Sequence, residues 1–365
     1  MSTGNGLDQR ARSGSQKRKS VAESIHRVSD RIAEAVTDRQ FSDNPELSER
    51  YGSAGRQKCT ADAKRHLSYL SSAIAQDSDA IFVDYVGWAK ILLIKLGIHY
   101  QDLTTNLRIL KSTIETVLPA SEFDVASRVI EVGLAQLSEL PATSTSYLDS
   151  GMAPHEDLAR RYLALLLAGQ RQEASTLILE AVSEGTSVRD IYMHVFQTSQ
   201  YEIGRLWQTN EISVAQEHFC TAATQLIMSQ LYPTIFSTAR ANRRLVAACV
   251  GGDLHEIGVR MVADFFEMEG WDTYYLGANT PVTGIVRAVV EYRPDAVAIS
   301  ATMSYHVTEV ADVLNAIKSA HRHPPKLLVG GYPFSVDREL WQKVGADGWA
   351  SNASEAVELA IRLIA

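Results

Sequence analysis

The feature that most constrains the fold is a change of sequence period after Arg244. From there on, short apolar runs of strand type alternate with helical stretches. The runs are "LVAACV", "DTYYLG", "AVAIS", "KLLVGG" and "DGWAS", and the helical stretches lie near 256–269, 280–291, 304–321, 335–343 and 354–364. Such alternation is typical of a parallel sheet with helices on both faces. Residues 241–365 are therefore predicted to form a doubly wound α/β domain with five parallel strands, which binds ligands at the carboxyl ends of its strands.

The chain before this domain is helical in pattern. Val21, Ile25, Val28, Ile32 and Val36 recur at spacings of three and four, as in an amphipathic helix. The pattern continues to about Leu137, which predicts an all-α domain over 20–138. The run "PATSTSYLDSGMAP" predicts a linker over 139–154. Four helical segments near 156–168, 171–184, 187–207 and 212–235 predict a four-helix bundle over 155–240.

Composition narrows the function classes. A length of 365 residues with 45% hydrophobic residues suits two or three globular domains. A net charge of −8 argues against non-specific nucleic-acid binding. Residues 1–19 are basic and polar, which predicts a disordered arm without a signal peptide. Charged residues interrupt the longest apolar stretch, so no membrane span is expected. Three cysteines without disulfide or metal spacing suggest a cytoplasmic protein.

The stretch "GGDLHEIG" follows the first strand of the predicted sheet directly. It lacks both the GxGxxG dinucleotide fingerprint and the GK[ST] of a phosphate loop. His255 at the strand's carboxyl end, two residues after Asp253, suits a metal ligand whose tautomer is fixed by a carboxylate. A single protein histidine serves a metal best when a macrocycle supplies the other ligands. An ordinary loop histidine is the alternative.

The segments "DLHEIG", "SAT" at 300–302 and "VGGYPF" at 329–334 together resemble the cobalamin-binding domain of methionine synthase and its relatives. The resemblance implies a flavodoxin-like fold and cobalt bound from below by His255, with Asp253 as its hydrogen-bond partner. It also implies a cleft for the nucleotide tail of the cofactor. The cofactor-binding residues predicted in this way are Asp253, Leu254, His255, Gly258, Ser300, Thr302, Gly330 and Gly331.

The stretch "WQTNEISVAQEH" places Trp207 ten and eleven residues before Glu217 and His218. This W-x9-E-H spacing resembles the cap of light-sensing adenosylcobalamin proteins, which implies that the three residues contact the adenosyl group and its surroundings. A core tryptophan beside an exposed Glu-His pair is the alternative. The light-responsive regulators of that family have a histidine directly after the tryptophan, whereas this chain has Gln208. His218 or His194 could take that role instead.

The N-terminal helical domain resembles globin-like sensory domains and the N-terminal part of photocobilins, which implies biliverdin as a second chromophore. His66, Tyr69, Tyr85, Trp88 and His99 are the candidate pocket residues, with Tyr100 beside them, although aromatic residues at helical spacing are more often core. Cys59 could tether a bilin, and a buried thiol is the alternative. No basic recognition helix is visible, so DNA binding is not expected.

These features predict a cytoplasmic photoreceptor that binds adenosylcobalamin and is not an enzyme. Light would break the cobalt–carbon bond and change the association of a homodimer, and a downstream signalling partner would read that change. Contact with a membrane is not expected. The alternative is a corrinoid carrier protein for methyl transfer, which shares the Asp253-His255-Gly258 motif. A mutase subunit would need a substrate barrel that the sequence does not show.

Overall fold

The computed structural model describes residues 4–149, 151, 153–236 and 238–365, with side chains from residue 14 onward. The chain divides into two compact units. The first combines the described part of Met1–Ala142 with Met303–Thr308 and Val336–Lys343, and the second combines the described parts of Thr143–Thr302, Glu309–Ser335 and Val344–Ala365. The predicted bundle and the α/β sheet therefore belong to one unit.

Six helices make up most of the first unit. They are α1 (Gly4–Arg27), α2 (Ser29–Asp43), α3 (Glu46–Ala75), α4 (Asp79–Lys95), α5 (Tyr100–Val117) and α6 (Ala120–Gln136). Val21, Ile25, Ile32 and Val36 are buried, as their spacing predicts. They lie on two helices, because the chain breaks at Val28 between α1 and α2. The globin-like arrangement of this unit stays a prediction.

The start of the chain differs from the disordered arm expected over residues 1–19. Helix α1 begins at Gly4, and residues 1–3 lie outside the described part of the chain. Val21 and Ile25 anchor the far end of the same helix in the core. Once packing supplies a helical nucleus, each further residue adds one backbone hydrogen bond at little cost, which explains the extension into a polar segment.

Buried Lys90 on α4 closes the end of α6. Its ammonium group donates to the carbonyl oxygens of Leu137, Ser138 and Leu140 at 2.8, 3.3 and 2.6 Å. These carbonyls follow the last residues of α6, where a helix leaves acceptors without intrahelical partners and where a cation is favoured. The sequence suggested only an interruption of an apolar run at this position.

We expect Lys90→Met to destabilise the protein by about 2 kcal/mol, because buried carbonyl groups would lose a charged donor. Urea unfolding followed by circular dichroism measures the change. Lys95→Met on the same helix is the matched control, because Lys95 is exposed and should leave the free energy of unfolding unchanged. Equal stability of the two variants would contradict a role for the ammonium group.

The second unit begins with the helical bundle. Its helices are α7 (Glu156–Leu167), α8 (Arg171–Ser183), α9 (Val188–Asp190), α10 (Gln197–Gln208), α11 (Val214–Gln230) and the short α12 (Tyr232–Ile235). A π-helical turn, Ile191–Phe196, joins α9 to α10 and was not visible in the sequence period. Ser213 and Gln216 form a capping box that starts α11. Between α6 and α7 the described residues contain no helix or strand.

The sheet of the second unit has five parallel strands in the order β2-β1-β3-β4-β5. The strands are β1 (Arg244–Val250), β2 (Asp272–Thr280), β3 (Ala296–Ser300), β4 (Lys326–Gly330) and β5 (Gly348–Trp349). The intervening helices are α13 (Ile257–Met268), α14 (Val282–Tyr292), α15 (Val307–Ala320), α16 (Tyr332–Val336) and α17 (Leu340–Val344), and α18 (Ala353–Ile364) ends the chain. The predicted five-stranded parallel sheet is confirmed. Within the described residues, no helix is both long and apolar enough to cross a membrane.

A buried hydrogen bond joins the π-helical turn to α13. The Tyr192 hydroxyl donates to Asp264 Oδ2 at 2.8 Å. Burial raises the pKa of Asp264 from its ordinary 3.8 to about 6. Because the folded-state pKa is the higher one, this carboxyl group favours folding below about pH 4, and that contribution is lost as the pH rises through about 6.

We expect Asp264→Asn to stabilise the protein at pH 7 by up to about 3 kcal/mol, because asparagine still accepts from Tyr192 and carries no charge to bury. Stability should then depend less steeply on pH between about 4 and 7 than in the wild type. Urea unfolding across that range measures both effects. A parallel pH dependence in variant and wild type would contradict the assignment.

Candidate cobalamin site

Asp253 holds the His255 imidazole at the carboxyl end of β1. The carboxylate is fully buried, and its Oδ1 accepts from His255 Nδ1 at 2.8 Å and from the His255 backbone N–H at 3.0 Å. Oδ2 accepts from the backbone N–H of Thr302, which follows β3. With Nδ1 as the donor to Asp253, Nε2 is the nitrogen able to bind a metal. The imidazole itself is 57% exposed.

The electrostatics of this pair favour a strongly basic ring. The hydrogen bond to Asp253 raises the pKa of His255 above its ordinary value, burial opposes the shift, and the negative charges of Asp253 and Glu217 add to it. A carboxylate partner increases the electron density on the free nitrogen and so improves it as a ligand.

The loop that carries His255 is also fixed from the β2 side. Asn279 Oδ1 accepts from the Gly252 N–H at 2.7 Å, and the Asn279 N–H donates to the Asp253 carbonyl at 2.8 Å. Asn279 has a left-handed backbone with φ of 49°. Asparagine tolerates this region better than most residues. Sequence reasoning missed Asn279, although an asparagine after "LGA" near a strand end was a signal for such a turn.

The small residues predicted to bind the cofactor have different local settings. Gly258 lies at the start of α13, where an added Cβ would meet no atom within 4 Å. At Gly330 an added Cβ would lie 3.5 Å from the Ala350 carbonyl oxygen, and at Gly331 only 2.0 Å from that of Ala301. Ser300 pairs with Gly330 across β3 and β4. Leu254 is 72% exposed.

The three predicted cap residues lie on α10 and α11. Trp207 is 39% exposed near the end of α10, an unusual exposure for so large an apolar ring. Glu217 Oε2 contacts His218 Nδ1 at 2.6 Å, and Thr221 Oγ1 donates to Glu217 Oε1 at 3.0 Å. The His218 side chain is 74% exposed. The alternative of a core tryptophan beside an exposed Glu-His pair therefore describes this arrangement only in part. Trp207 is not a core residue, and Glu217 contacts both His218 and Thr221.

His218 and His194 are the two candidates for the role of the histidine that is replaced by Gln208 in this chain. Gln208 is buried at the end of α10. His194 lies on the π-helical turn, where its Nε2 is 3.9 Å from Asp190 Oδ1, and its ring centroid is 6.2 Å from that of His155. Both histidines therefore lie near an acidic group, His218 within hydrogen-bond distance of Glu217 in the predicted cap and His194 at a longer distance from Asp190.

These residues fit a cobalamin. In the described part of the chain, no group of three or more His, Cys, Asp or Glu side chains could hold a metal ion by itself. A single histidine with a fixed tautomer and an exposed ring instead matches a cobalt whose equatorial ligands all come from a corrin. Open space beside Gly258 suits a nucleotide tail, because a Cβ there would intrude on it.

The candidate bilin residues form a packed cluster in the first unit. His66 Nδ1 and the Tyr85 hydroxyl share a hydrogen bond of 2.6 Å, Tyr85 stacks on Tyr69 with ring centroids 3.8 Å apart, and Trp88 lies 6.5 Å from Tyr85. Burial lowers the pKa of His66 to about 3, so the ring is neutral. A tetrapyrrole cannot lie between the stacked phenol rings, so as they stand these side chains do not fit a bilin.

The other residues considered for a bilin lie apart from this cluster or are engaged. His99 is the exposed residue that precedes α5. The Tyr100 ring lies 5.1 Å from the Lys90 ammonium. Cys59 Sγ contacts Gln40 Oε1 and Asn106 Nδ2 at 3.6 and 3.7 Å, and burial raises the pKa of its thiol. A raised pKa disfavours the thiolate that attacks a bilin, in line with the buried-thiol alternative.

Comparison with known proteins bears on this site. Two models described as a B12 binding domain match residues 243–358 and 158–232. A dimethylamine corrinoid protein of Methanosarcina mazei is 32% identical over 123 residues, which are 33% of this chain and 72% of that protein. The chain belongs to the corrinoid protein family. The predicted cobalamin-binding domain is thus confirmed, whereas the photoreceptor subtype stays a prediction.

Two further relatives extend the family comparison. An HTH-type transcriptional repressor of Myxococcus xanthus is 35% identical over 149 residues, which are 40% of this chain and 50% of that repressor. The structure of a monomethylamine corrinoid protein of Methanosarcina barkeri aligns with a TM-score of 0.51 and 21% identity, covering 57% of this chain and all of that protein. The second match shows a shared fold. In this corrinoid-binding chain the family models cover the bundle and the sheet of the second unit.

Proposed function

We propose that this chain carries a cobalamin with His255 as the lower axial ligand of cobalt and with the cap residues on the opposite side of the corrin. One observation supports this most strongly: the buried Asp253 binds His255 Nδ1 and so leaves Nε2 of a 57% exposed imidazole for cobalt. When bound, cobalamin supplies a cobalt atom that carries an organic group.

The relatives favour a corrinoid carrier in methyl transfer as the use of this cofactor. The chain resembles proteins named dimethylamine and monomethylamine corrinoid proteins over the bundle and sheet. In this role the chain would hold the methyl-carrying cobalamin, and partner methyltransferases would load and unload it. Asp253 and His255 would set the electron density on cobalt, which determines how readily the methyl group leaves.

A light-sensing signalling protein is the second candidate, favoured by the exposed Trp207 beside Glu217 and His218. An indole offers a flat surface for an adenine ring, and a carboxylate accepts from ribose hydroxyls. The similarity to a transcriptional repressor supports a regulatory use. This candidate includes adenosylcobalamin, a globin-like sensory arrangement of α1 to α6, a homodimer and a signalling partner.

One reconstitution experiment separates the two candidates. The protein is mixed with methylcobalamin and, separately, with adenosylcobalamin, and binding is followed by absorption spectra in the dark. The carrier proposal predicts that methylcobalamin binds and that Trp207→Ala leaves its affinity unchanged. The sensor proposal predicts that adenosylcobalamin binds more tightly, that Trp207→Ala weakens it about tenfold, and that green light changes the oligomeric state seen by light scattering. If neither cofactor gives the spectrum of a histidine-ligated corrin, both proposals are overturned.

Biliverdin belongs only to the second candidate. Its use there would require the stacked Tyr69 and Tyr85 rings to separate. Mixing the protein with biliverdin and recording the absorption band of the bilin decides this part: a shifted band supports binding, and an unchanged band contradicts it. Tyr69→Ala is the informative variant, because removal of one stacked ring opens the cluster without touching the Tyr85–His66 hydrogen bond.

A further inference from the structure

Both carboxylate oxygens of Glu256, the residue directly after His255, accept hydrogen bonds. Oε1 accepts from Gln225 Nε2 of α11 at 2.7 Å. Oε2 accepts from the Tyr275 hydroxyl at 2.7 Å and from the Ala278 N–H at 3.1 Å, both on β2. One side chain therefore connects the ligand loop, the cap helix and the edge strand of the sheet. This glutamate is part of the segment "DLHEIG", but the resemblance that this segment carries assigns no role to it.

The β2 contacts are possible because β2 is irregular at this point. Its pairing with β1 shifts register after Ala247 and again after Ala248, so that Ala248 faces Gly277 and Val250 faces Thr280. A bulge of this kind frees a backbone N–H from the ladder. Here the freed N–H is that of Ala278, and it binds Glu256. The sheet thus fixes one oxygen of the carboxylate and leaves the other for the cap.

The cap contact is made two turns after Glu217 on the same helix. Gln225 is held on its backbone side by Arg260, which donates to the Gln225 carbonyl at 3.1 Å and to Ser229 Oγ at 2.7 Å. Arg260 lies on α13, so this second contact does not involve the ligand loop. Helix α11 consequently has two polar attachments to the sheet domain. Only the Gln225–Glu256 attachment includes the neighbour of His255.

We propose that Glu256 is a positioning residue that couples the placement of His255 to the placement of cap helix α11, a proposal that rests on the proposed cobalamin site. His255 and Glu256 share a peptide bond, so a shift of the ligand loop moves the carboxylate as well. A hydrogen bond weakens steeply with a displacement of about 1 Å. Ligand binding at His255 then tightens α11, and with it Glu217 and His218.

The experiment uses the full chain and four variants. Gln225→Leu removes the donor on the cap, and Ser229→Ala is the matched control that removes an α11 contact independent of Glu256. Glu256→Leu removes the acceptor of the Gln225 amide. The double variant Gln225→Glu/Glu256→Gln exchanges donor and acceptor and so restores the hydrogen bond. Hydrogen exchange of the Val214–Gln230 amides is measured without cofactor and with methylcobalamin, and absorption spectra report the histidine ligand.

We expect Gln225→Leu and Glu256→Leu to raise exchange in α11 by about tenfold, the effect of losing one partly buried hydrogen bond to a charged group. Ser229→Ala should change it less, because its hydrogen bond to Arg260 is exposed to solvent, and the double variant should return towards the wild type. With methylcobalamin, Gln225→Leu should keep the histidine-ligated spectrum but lose the added protection of α11.

Equal exchange in Gln225→Leu and Ser229→Ala, or no recovery in the double variant, would overturn the coupling. The coupling would also fail if cofactor protected α11 equally in Gln225→Leu and wild type. A wild-type protein without a histidine-ligated spectrum would overturn the proposed function and the coupling together. A retained spectrum with equal exchange overturns the coupling alone.

Discussion

His255→Ala is expected to lower the affinity for cobalamin by more than about 100-fold and to abolish the spectrum of a histidine-ligated corrin. Partners that merely orient a metal ligand contribute 10- to 100-fold in affinity, roughly, so loss of the ligand itself should exceed that range. Asp253→Asn should fall within it, because the amide oxygen still accepts from Nδ1 but brings no charge. Cobalamin titration followed by absorption measures both variants.

His323→Ala is the matched control for this experiment. His323 is exposed in the segment before β4, at the amino ends of the parallel strands, whereas His255 follows the carboxyl end of β1. Its replacement should leave affinity and spectrum unchanged. Equal binding by His255→Ala and wild type would remove the basis for the proposed cobalt site.

Gly331→Ala is expected to destabilise the protein by more than about 4 kcal/mol, through backbone strain and overpacking together. The backbone at Gly331 has φ of 103°, a conformation that side-chain-bearing residues rarely adopt. An added Cβ would also lie 2.0 Å from the carbonyl oxygen of Ala301, which is main chain and cannot rotate away. The ends of β3 and β4 would have to separate at the edge that carries the site.

The neighbouring glycine supplies the control. At Gly330 a Cβ would meet the Ala350 carbonyl oxygen at 3.5 Å, an ordinary contact, and φ is not positive. Gly330→Ala should therefore cost about 1 kcal/mol or less. Urea unfolding of both variants measures the difference. Similar free energies of unfolding would show that the β3–β4 edge adapts and that Gly331 is not required for backbone reasons.

The fold could be predicted from the sequence wherever a single hydrophobic pattern, that of a strand or that of a helix, extended over a whole element. Strand-type runs between amphipathic helices predicted β1 to β5, because a parallel strand buried on both faces is continuously apolar. Ranges predicted for the bundle agree closely with α7, α8 and α11. The π-helical turn before α10 was missed, because six residues are too few to displace a hydrophobic stripe by more than one position. The arm at the N-terminus was wrong from Gly4, because its helix is stabilised by distant packing of Val21 and Ile25.

The roles of individual residues could likewise be predicted only where the interacting residues are close together in the sequence. The pair Asp253 and His255 was predictable because two residues of spacing in a tight loop let one side chain reach the other. The contributions of Asn279 and Gln225, and the hydrogen bond from the Thr302 backbone to Asp253, were not, because each comes from a different strand or helix. For the aromatic residues of the first unit, the resemblance to photocobilins implied a chromophore pocket. In the structure Tyr69 and Tyr85 stack on each other, and aromatic rings fill space as readily as they line it.

The sequence by itself determined the strand–helix alternation, the carboxylate–imidazole pair after β1 and the separation of Trp207 from Glu217 and His218. Those features depend on residues close together along the chain, where backbone geometry limits the possible arrangements. Only the tertiary structure decided that a bulge in β2 aims the Ala278 N–H at Glu256 and that Gln225 reaches the same carboxylate. These contacts join residues 22 and 31 positions apart, and packing of whole elements sets their distances.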